Sequence, residues 1–256
     1  MKALERFRSI GLDEMDGIRL MNRVDTKFVT TDAMLEEILL RAESEYRVLE
    51  IDGIRMSAYD TLYYDTADLE MYMAHHNRRL RRYKVRTRTY LNSGESFLEI
   101  KRKNNRGRTK KKRIRIDGEL FRDFSADREA CSFLCERSPY LASQLTAGVS
   151  TAFRRITLVN NAKTERLTID RNLQFRNLRT GKEASLGDAV IIELKQDGLC
   201  PSAMKDILLD LRVKPLRVSK YCIGTVLTDP GVRHGRFIPK IRAIEKISDK
   251  KLLERS

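Results

Sequence analysis

The amino-acid sequence predicts an α+β fold in which mostly antiparallel strands close as a barrel, and three observations point there. Roughly eight or more stretches alternate apolar and charged residues with the period of two that a strand imposes. Asn/Gly-bearing turns join the central stretches into a meander. Helical segments stand between groups of strands, which favours a barrel with helices outside over a sandwich.

Taken in order, GLDEMDGIRLMNRV reads as a short helix leading into the strand NRVDTKFVT, after which Thr31 or Asp32 caps a helix through DAMLEEILLRAE. YRVLEI and IRMSAYDTLYYD, rich in aromatic and branched residues, read as strands, and ADLEMYMAHHN as a short helix. LRRYKVRTRTYL, SFLEIKRK and TKKKRIRID follow as long charged strands, with NSGE and NNRGR as hairpin turns. Helices are expected near GELFRDFSADREACSFLCERS and SPYLASQL, then strands at VSTAFRRITLV, ERLTIDRNLQF and DAVIIELKQD. Helices at PSAMKDILLDLR and SKYCIGTVL complete a core over about 18–230, leaving a basic tail from Gly231 to Ser256. Without repeats, low-complexity tracts or a Pro/Gly/Ser linker, one domain over 1–256 is the simplest organisation.

Lys and Arg number 51 against 36 Asp and Glu, a formal net charge of +15, so an anionic partner is expected. Nucleic acid, an acidic membrane face and polyphosphate-like anions all fit that charge. Cys131, Cys135, Cys200 and Cys222 suit neither a disulfide framework nor a zinc site and read as buried reduced thiols. With no apolar leader and no window of 18 apolar residues, a soluble, cytoplasmic chain without a membrane span is expected.

The placement of charge narrows the choice. In KVRTRTY, Lys84, Arg86 and Arg88 share one face; in FLEIKRK, Glu99 and Lys101 oppose Leu98 and Ile100; Lys111 and Arg113 repeat the pattern after the turn. Arg166 and Asp170 oppose Leu167 and Ile169, and Glu193 and Lys195 oppose Ile192 and Leu194. One reading is an ordinary sheet whose charged face meets water. The other is a barrel turned inside out, apolar side under helices and charged side lining a lumen that a polyanion would fill. The near absence of Ser and Gln on the charged face favours the second.

In this order the segments RVDTKF (23–28), YYDTADLEMY (63–72), KVRTRTY (84–90), FLEIKRK (97–103), ERLTID (165–170), IIELK (191–195) and RVSKY (217–221) resemble the triphosphate tunnel metalloenzymes, and among them the VTC-type domain of polyphosphate polymerases. The resemblance implies an eight-stranded antiparallel tunnel with a charged lumen. It implies that Lys27, Arg86, Arg88, Lys101, Lys111, Arg155 and Lys220 line the tunnel and bind phosphates, with Arg113, Arg166, Lys195, Arg217 and Ser219 at its wall, and that Glu193 holds Mn²⁺ or Mg²⁺. Lys220, Lys27, Arg86, Arg88 and Arg155 are the expected catalytic set, with Arg154 the alternative to Arg155. The Glu-x-Glu-x-Lys opening of tunnel hydrolases is Arg23, Asp25, Lys27 here, which favours the polymerase branch.

The expected activity is transfer of the ATP γ-phosphate to inorganic polyphosphate, work that needs alignment and charge neutralisation rather than covalent catalysis. Bland alternatives stay open at this point: Glu193 paired with Lys195, Ser219 as a helix N-cap, His75 and His76 as solvated residues, Tyr63 and Tyr64 as packing residues, KKKRIR as a nucleic-acid patch. The rival functions are a tunnel triphosphatase acting on tripolyphosphate or a nucleoside triphosphate, and a non-catalytic polyphosphate- or RNA-binding module. With 7% aromatic residues and no Trp, nucleic-acid binding is the less expected. The basic tail can form an amphipathic helix over one tunnel mouth.

Overall fold

The computed structural model describes residues 1–16, 23–198 and 200–253. The first part of the chain forms α1 (Lys2–Glu5), β1 (Arg8–Ile10), α2 (Leu12–Asp16), β2 (Arg23–Thr31), α3 (Asp32–Ala42), β3 (Tyr46–Leu49), β4 (Ser57–Asp65), α4 (Glu70–His76), β5 (Arg82–Tyr90), β6 (Glu95–Lys103) and β7 (Thr109–Ile116). The second forms α5 (Arg128–Arg137), β8 (Thr146–Asn160), β9 (Glu165–Asn177), β10 (Glu183–Ser185), β11 (Ala189–Asp197), α6 (Ala203–Asp210), α7 (Lys220–Thr228) and α8 (Ile238–Ser248). The rest of the short helix expected in GLDEMDGIRLMNRV and the first residue of the strand expected in NRVDTKFVT, positions 17–22, lie outside the described residues. SPYLASQL is not a helix: it holds only a 3-10 turn at Ala142–Gln144 before β8 begins. Of the helix expected from GELF onward, a 3-10 turn at Gly118–Phe121 and α5 are formed.

Eight strands run antiparallel in the order β2-β11-β9-β8-β4-β5-β6-β7, with β10 beside β9 and β3 beside β8. β1, a strand too short to read from sequence, pairs parallel with β3. The two end strands, β2 and β7, share no ladder among the described residues, so the sheet is a curled half-barrel. The free edge of β7 is studded with exposed Lys110 and Lys112, which discourages pairing with another chain.

Register fixes the sidedness. Tyr63, Arg86, Glu99 and Arg113 stand in one cross-strand row on the concave face, and Lys27, Glu193 and Thr168 in another. The intervening positions point outward, and most of them are apolar. Phe28, Ile156, Leu158, Leu167, Ile169, Ile192 and Leu194 pack beneath α1, α3 and α6; Leu62, Val85, Leu98 and Ile100 pack beneath α5. Each such side chain contributes about 1.5–3 kcal/mol on burial, so the convex core outweighs the several kcal/mol that crowding ions on the other face costs. The inside-out arrangement is the one the alternation favoured.

Capping residues place the helices. Thr31 caps α3, Asp127 caps α5 and Ser202 caps α6, each accepting a backbone N–H with its side chain. Buried Asp65, at the end of β4, accepts the N–H groups of Met71 and Tyr72 at 2.9 and 2.8 Å and the hydroxyl of Tyr221, tying β4, α4 and α7 together.

α7 lies within the concavity. A Cβ at Gly224 would meet Phe175 Cδ1 at 2.5 Å and Val149 Cγ1 at 3.0 Å, so only glycine lets the helix approach β8 and β9 this closely. The core extends past the expected limits of 18–230: Ala3, Leu4 and Phe7 are buried at one end, and Ile241 and Ile244 of α8 at the other. The expected tail helix exists as α8; Ile244 packs with Val29, Ile191 and Ile223, and Ile241 with Tyr72 and Tyr221. No helix among the described residues is long and apolar enough to cross a membrane. Of the four cysteines, all free, only Cys222 is buried; Cys135 is exposed and the other two intermediate, which corrects the expectation of buried thiols.

Gly224→Ala is expected to lower stability by about 1–3 kcal/mol through overpacking. A urea midpoint unchanged from that of the parent protein would show that α7 is not seated against Phe175.

Candidate functional site

Three carboxylates organise the concave face, each shared by two cations from neighbouring elements. Glu99 on β6, 1% exposed, receives Arg86 at 2.8 Å through Nε and Lys111 at 2.6 Å. Asp170 on β9 receives Arg155 of β8 at 2.6 and 2.8 Å and Lys220 of α7. Glu193 on β11 lies 3.3 Å from Lys27 and 3.2 Å from Lys195. Burial pushes the Glu99 and Asp170 carboxyls up, but the adjacent cations outweigh it and hold both far below the usual carboxylate range. Glu193 is likewise held well below it, by Lys195, Lys27, Lys101 and Arg155 against burial.

Arg88, Lys84 and Lys101 make no ion pair with a carboxylate among the described residues. Arg88, 5% exposed, donates from Nε to Thr61 Oγ1 at 3.1 Å and lies over the Tyr59 and Phe153 rings. Lost hydration and the charges of Arg86 and Arg155 bring it down to about 10. Half-buried Lys84 donates to Ser219 Oγ at 2.9 Å, and lost hydration with Lys27 and Arg86 nearby lowers its ammonium. Lys101 opens onto the groove, where lost hydration and Lys84 bring it to about 8. Lys111, although it meets Glu99, is also brought to about 8, chiefly by lost hydration. Nine cations, Lys27, Lys84, Arg86, Arg88, Lys101, Lys111, Arg155, Lys195 and Lys220, thus face three carboxylates. Such a surface can take a chain of negative charges.

The amino end of α7 points into this cluster. Ser219 is its N-cap, accepting Cys222 N–H at 3.3 Å, so the bland reading of this residue holds. Its oxygen also receives Lys84, and Lys220 follows directly, so the cap assembles a site with a favourable helix terminus for anions.

The two candidates in FRRITL separate cleanly: Arg155 faces the groove and Arg154 is exposed on the other side, after a bulge between Ala152 and Arg154. Arg166 shares the row of Lys195, and its Nε finds no hydrogen-bond partner among the described residues. Arg113 is exposed, lying 4.4 Å over the Phe97 ring. Arg217 is exposed at the rim, where its charge helps lower Lys103. His75 and His76 are not solvated; both are half-buried on α4, and lost hydration with Lys84 and Arg82 keeps His75 neutral. Tyr64 packs outward in the convex core, but Tyr63 faces the groove and accepts from Arg86 at 3.1 Å. Burial raises its phenol, and Arg86, Lys84, Arg88 and Lys220 outweigh that to bring it to about 8.

Sequence reasoning placed Lys84, Glu99 and Asp170 on the charged face without giving them a role in the site, and read Tyr63 as a packing residue. Alternation alone signals Lys84, which shares a face with Arg86 and Arg88. The pairing of Asp170 with Lys220, fifty residues away, has no local signal.

A metal centre built from protein alone is absent among the described residues, where no three His, Cys, Asp or Glu side chains are grouped. Glu193 has the longest contacts of the three carboxylates, so it is the one best able to exchange a lysine for a hard cation. That donor set fits a divalent ion arriving with phosphate oxygens and water as its remaining ligands.

A family model described as the VTC domain matches residues 22–228. Among curated proteins none matches. HpAC1 from Hippeastrum, reported with a dominant triphosphatase activity, aligns with a TM-score of 0.49 and 13% identity over 80% of this chain and 95% of its own. A conserved protein from Pyrococcus furiosus aligns with a TM-score of 0.42 and 13% identity over 78% and 99%. With the family match spanning β2 to α7, the elements that build the cationic groove, the chain belongs to the VTC domain family.

Proposed function

We propose that the protein is a polyphosphate polymerase that moves the γ-phosphate of ATP to the end of a growing inorganic polyphosphate and releases ADP. The observation that carries this reading is the excess of positive charge in the cluster described above, where nine cations gather around Glu99, Asp170 and Glu193. A terminal phosphate oxygen of the chain attacks the γ-phosphorus in line, its bond to the β-bridging oxygen breaks, and ADP leaves with the electron pair. Arg86, Arg88 and Arg155 fork onto the equatorial oxygens; Lys27, Lys101, Lys111 and Lys220 act as point charges along the chain. Glu193 would hold a divalent ion, Mn²⁺ or Mg²⁺, which would supply further neutralisation of charge on the transferring group.

Choice of acceptor follows from the carboxylates. Glu99, Asp170 and Glu193 are all engaged by cations and held ionised, so none is poised to take a proton from water. The end of a phosphate chain is already an anionic nucleophile and needs no base. This favours transfer over the hydrolase reading. Incubating the protein with ATP, Mn²⁺ and a polyphosphate primer is expected to yield long chains and ADP; free phosphate as the sole product would make it a triphosphatase.

Arg88 separates function from stability. Arg88→Met keeps an apolar stem on Tyr59 and Phe153 and removes an uncompensated cation, so the melting temperature is expected to hold or rise while transfer falls about 100-fold or more. Unchanged turnover would remove Arg88 from the site. The opposite case is Asp170→Asn, which leaves Arg155 and Lys220 without their shared anion. It is expected to destabilise the empty protein by about 3–5 kcal/mol, with partial recovery in tripolyphosphate. Loss of stability with no recovery would place these cations outside the anion site.

Lys101, Lys111 and Tyr63, all brought to about 8, give binding a pH signature. An anion raises each of these values, so binding near pH 8 takes up protons, and affinity falls as pH rises through that value. Calorimetry in buffers of different ionisation enthalpy is expected to find uptake near pH 8 that fades toward about pH 6, where the groups are already protonated. Proton release on binding would contradict the assignment.

A further inference from the structure

We propose that Phe97, Tyr90 and Arg113 form a platform for the base of a nucleoside triphosphate, beside the cations that take its phosphates; this rests on the reading of the groove as a triphosphate site. Four aromatic side chains stand on adjacent strands of the concave face: Phe97 on β6, Tyr90 on β5, Tyr59 on β4 and Phe153 on β8. Phe97 meets Tyr90 edge-on at 5.6 Å, Tyr90 lies 4.9 Å from Tyr59, and Tyr59 stacks on Phe153 at 5.2 Å. The two ends of this wall differ. At the inner end Tyr59 and Phe153 are buried and already covered by the guanidinium groups of Arg88 and Arg155.

At the outer end Phe97 and Tyr90 are half-buried, and only β7 stands between the strand of Phe97 and the open edge of the sheet. There the Arg113 guanidinium lies 4.4 Å from the Phe97 centroid and donates to the Tyr90 hydroxyl at 3.1 Å. Tethered at both points, it leaves its outer face to solvent, and a guanidinium plane backed by an aromatic ring is a surface on which a heteroaromatic base stacks. Glu95, opposite Tyr90, adds an acceptor suited to an exocyclic amine.

Register supplies the phosphate end of the same ligand. Phe97 pairs with Arg88, Arg113 pairs with Glu99, and Lys111 is two residues along β7, about 7 Å away. A planar group at Arg113 and a phosphate at Lys111 or Arg88 are therefore neighbours. An inorganic chain has nothing to stack here, so the platform distinguishes a nucleotide donor from an inorganic acceptor and orients the donor.

The test is calorimetric titration of the full chain with ATP and with inorganic tripolyphosphate. Phe97→Leu keeps the apolar contacts and removes the ring; it is expected to weaken ATP about fivefold or more while tripolyphosphate stays within about twofold, which also certifies the fold. Arg113→Lys, which keeps the charge and loses the plane, is expected to raise the Kd for ATP by a larger factor than that for tripolyphosphate. Equal weakening of both ligands, or no loss for ATP in Phe97→Leu, overturns the platform alone. Failure of the parent protein to bind tripolyphosphate overturns the triphosphate reading and the platform with it. An oligoadenylate RNA that binds through Phe97 and resists displacement by ATP or tripolyphosphate makes the patch a nucleic-acid surface and also overturns it.

Discussion

The carboxylate of Asp170, shared between Arg155 on β8 and Lys220 on α7, ties the helix inside the half-barrel to the sheet around it. Without that anion the amino end of α7 would meet Arg155, Arg88 and Lys84 as one more positive charge. Glu99 and Glu193 solve the same problem between β5 and β7 and between β2 and β11. The carboxylates are enough to hold the cations at close quarters and too few to neutralise them. A folded protein with that imbalance is prepared for an anion.

The imbalance is sustained from the opposite face. Phe28 of β2, Leu167 and Ile169 of β9 and Val190, Ile192 and Leu194 of β11 are sealed beneath α1, α3 and α6, and Val85 of β5 with Leu98 and Ile100 of β6 are sealed beneath α5. A slip of one residue in any of these strands would move the cations into the convex core and the aliphatics into the groove, so one alternating pattern specifies register, core and site together. Aromatic rings add a second device. Tyr59 and Phe153 carry Arg88, Arg155 and, for Phe153, Lys220 on their faces, a partial substitute for lost hydration that introduces no opposing charge.

What was legible in the sequence is what depends on alternation and order. KVRTRTY and FLEIKRK place Lys84, Arg86, Arg88, Glu99 and Lys101 on one side, and the structure keeps them there. The side was legible, but the tertiary partners were not. Glu99 meets Arg86 across one hairpin, yet Asp170 reaches Lys220 only because α7 turns back into the concavity, which Gly224 and Asp65 permit through contacts far apart in the chain. The three-residue strand β1 was missed because so short a run carries no period. His75 and His76 were misplaced because α4 is held against the β5 side of the groove by Asp65, a capping residue outside the helix itself.

Solving the complex with tripolyphosphate and Mn²⁺ tests the central claim most directly. The account predicts a phosphate chain threaded along the concave face, within hydrogen-bonding reach of Arg88, Lys101 and Lys220, with the metal against Glu193. A chain bound instead to the outward-facing lysines of β7, leaving Asp170 and its two partners unchanged, would contradict it.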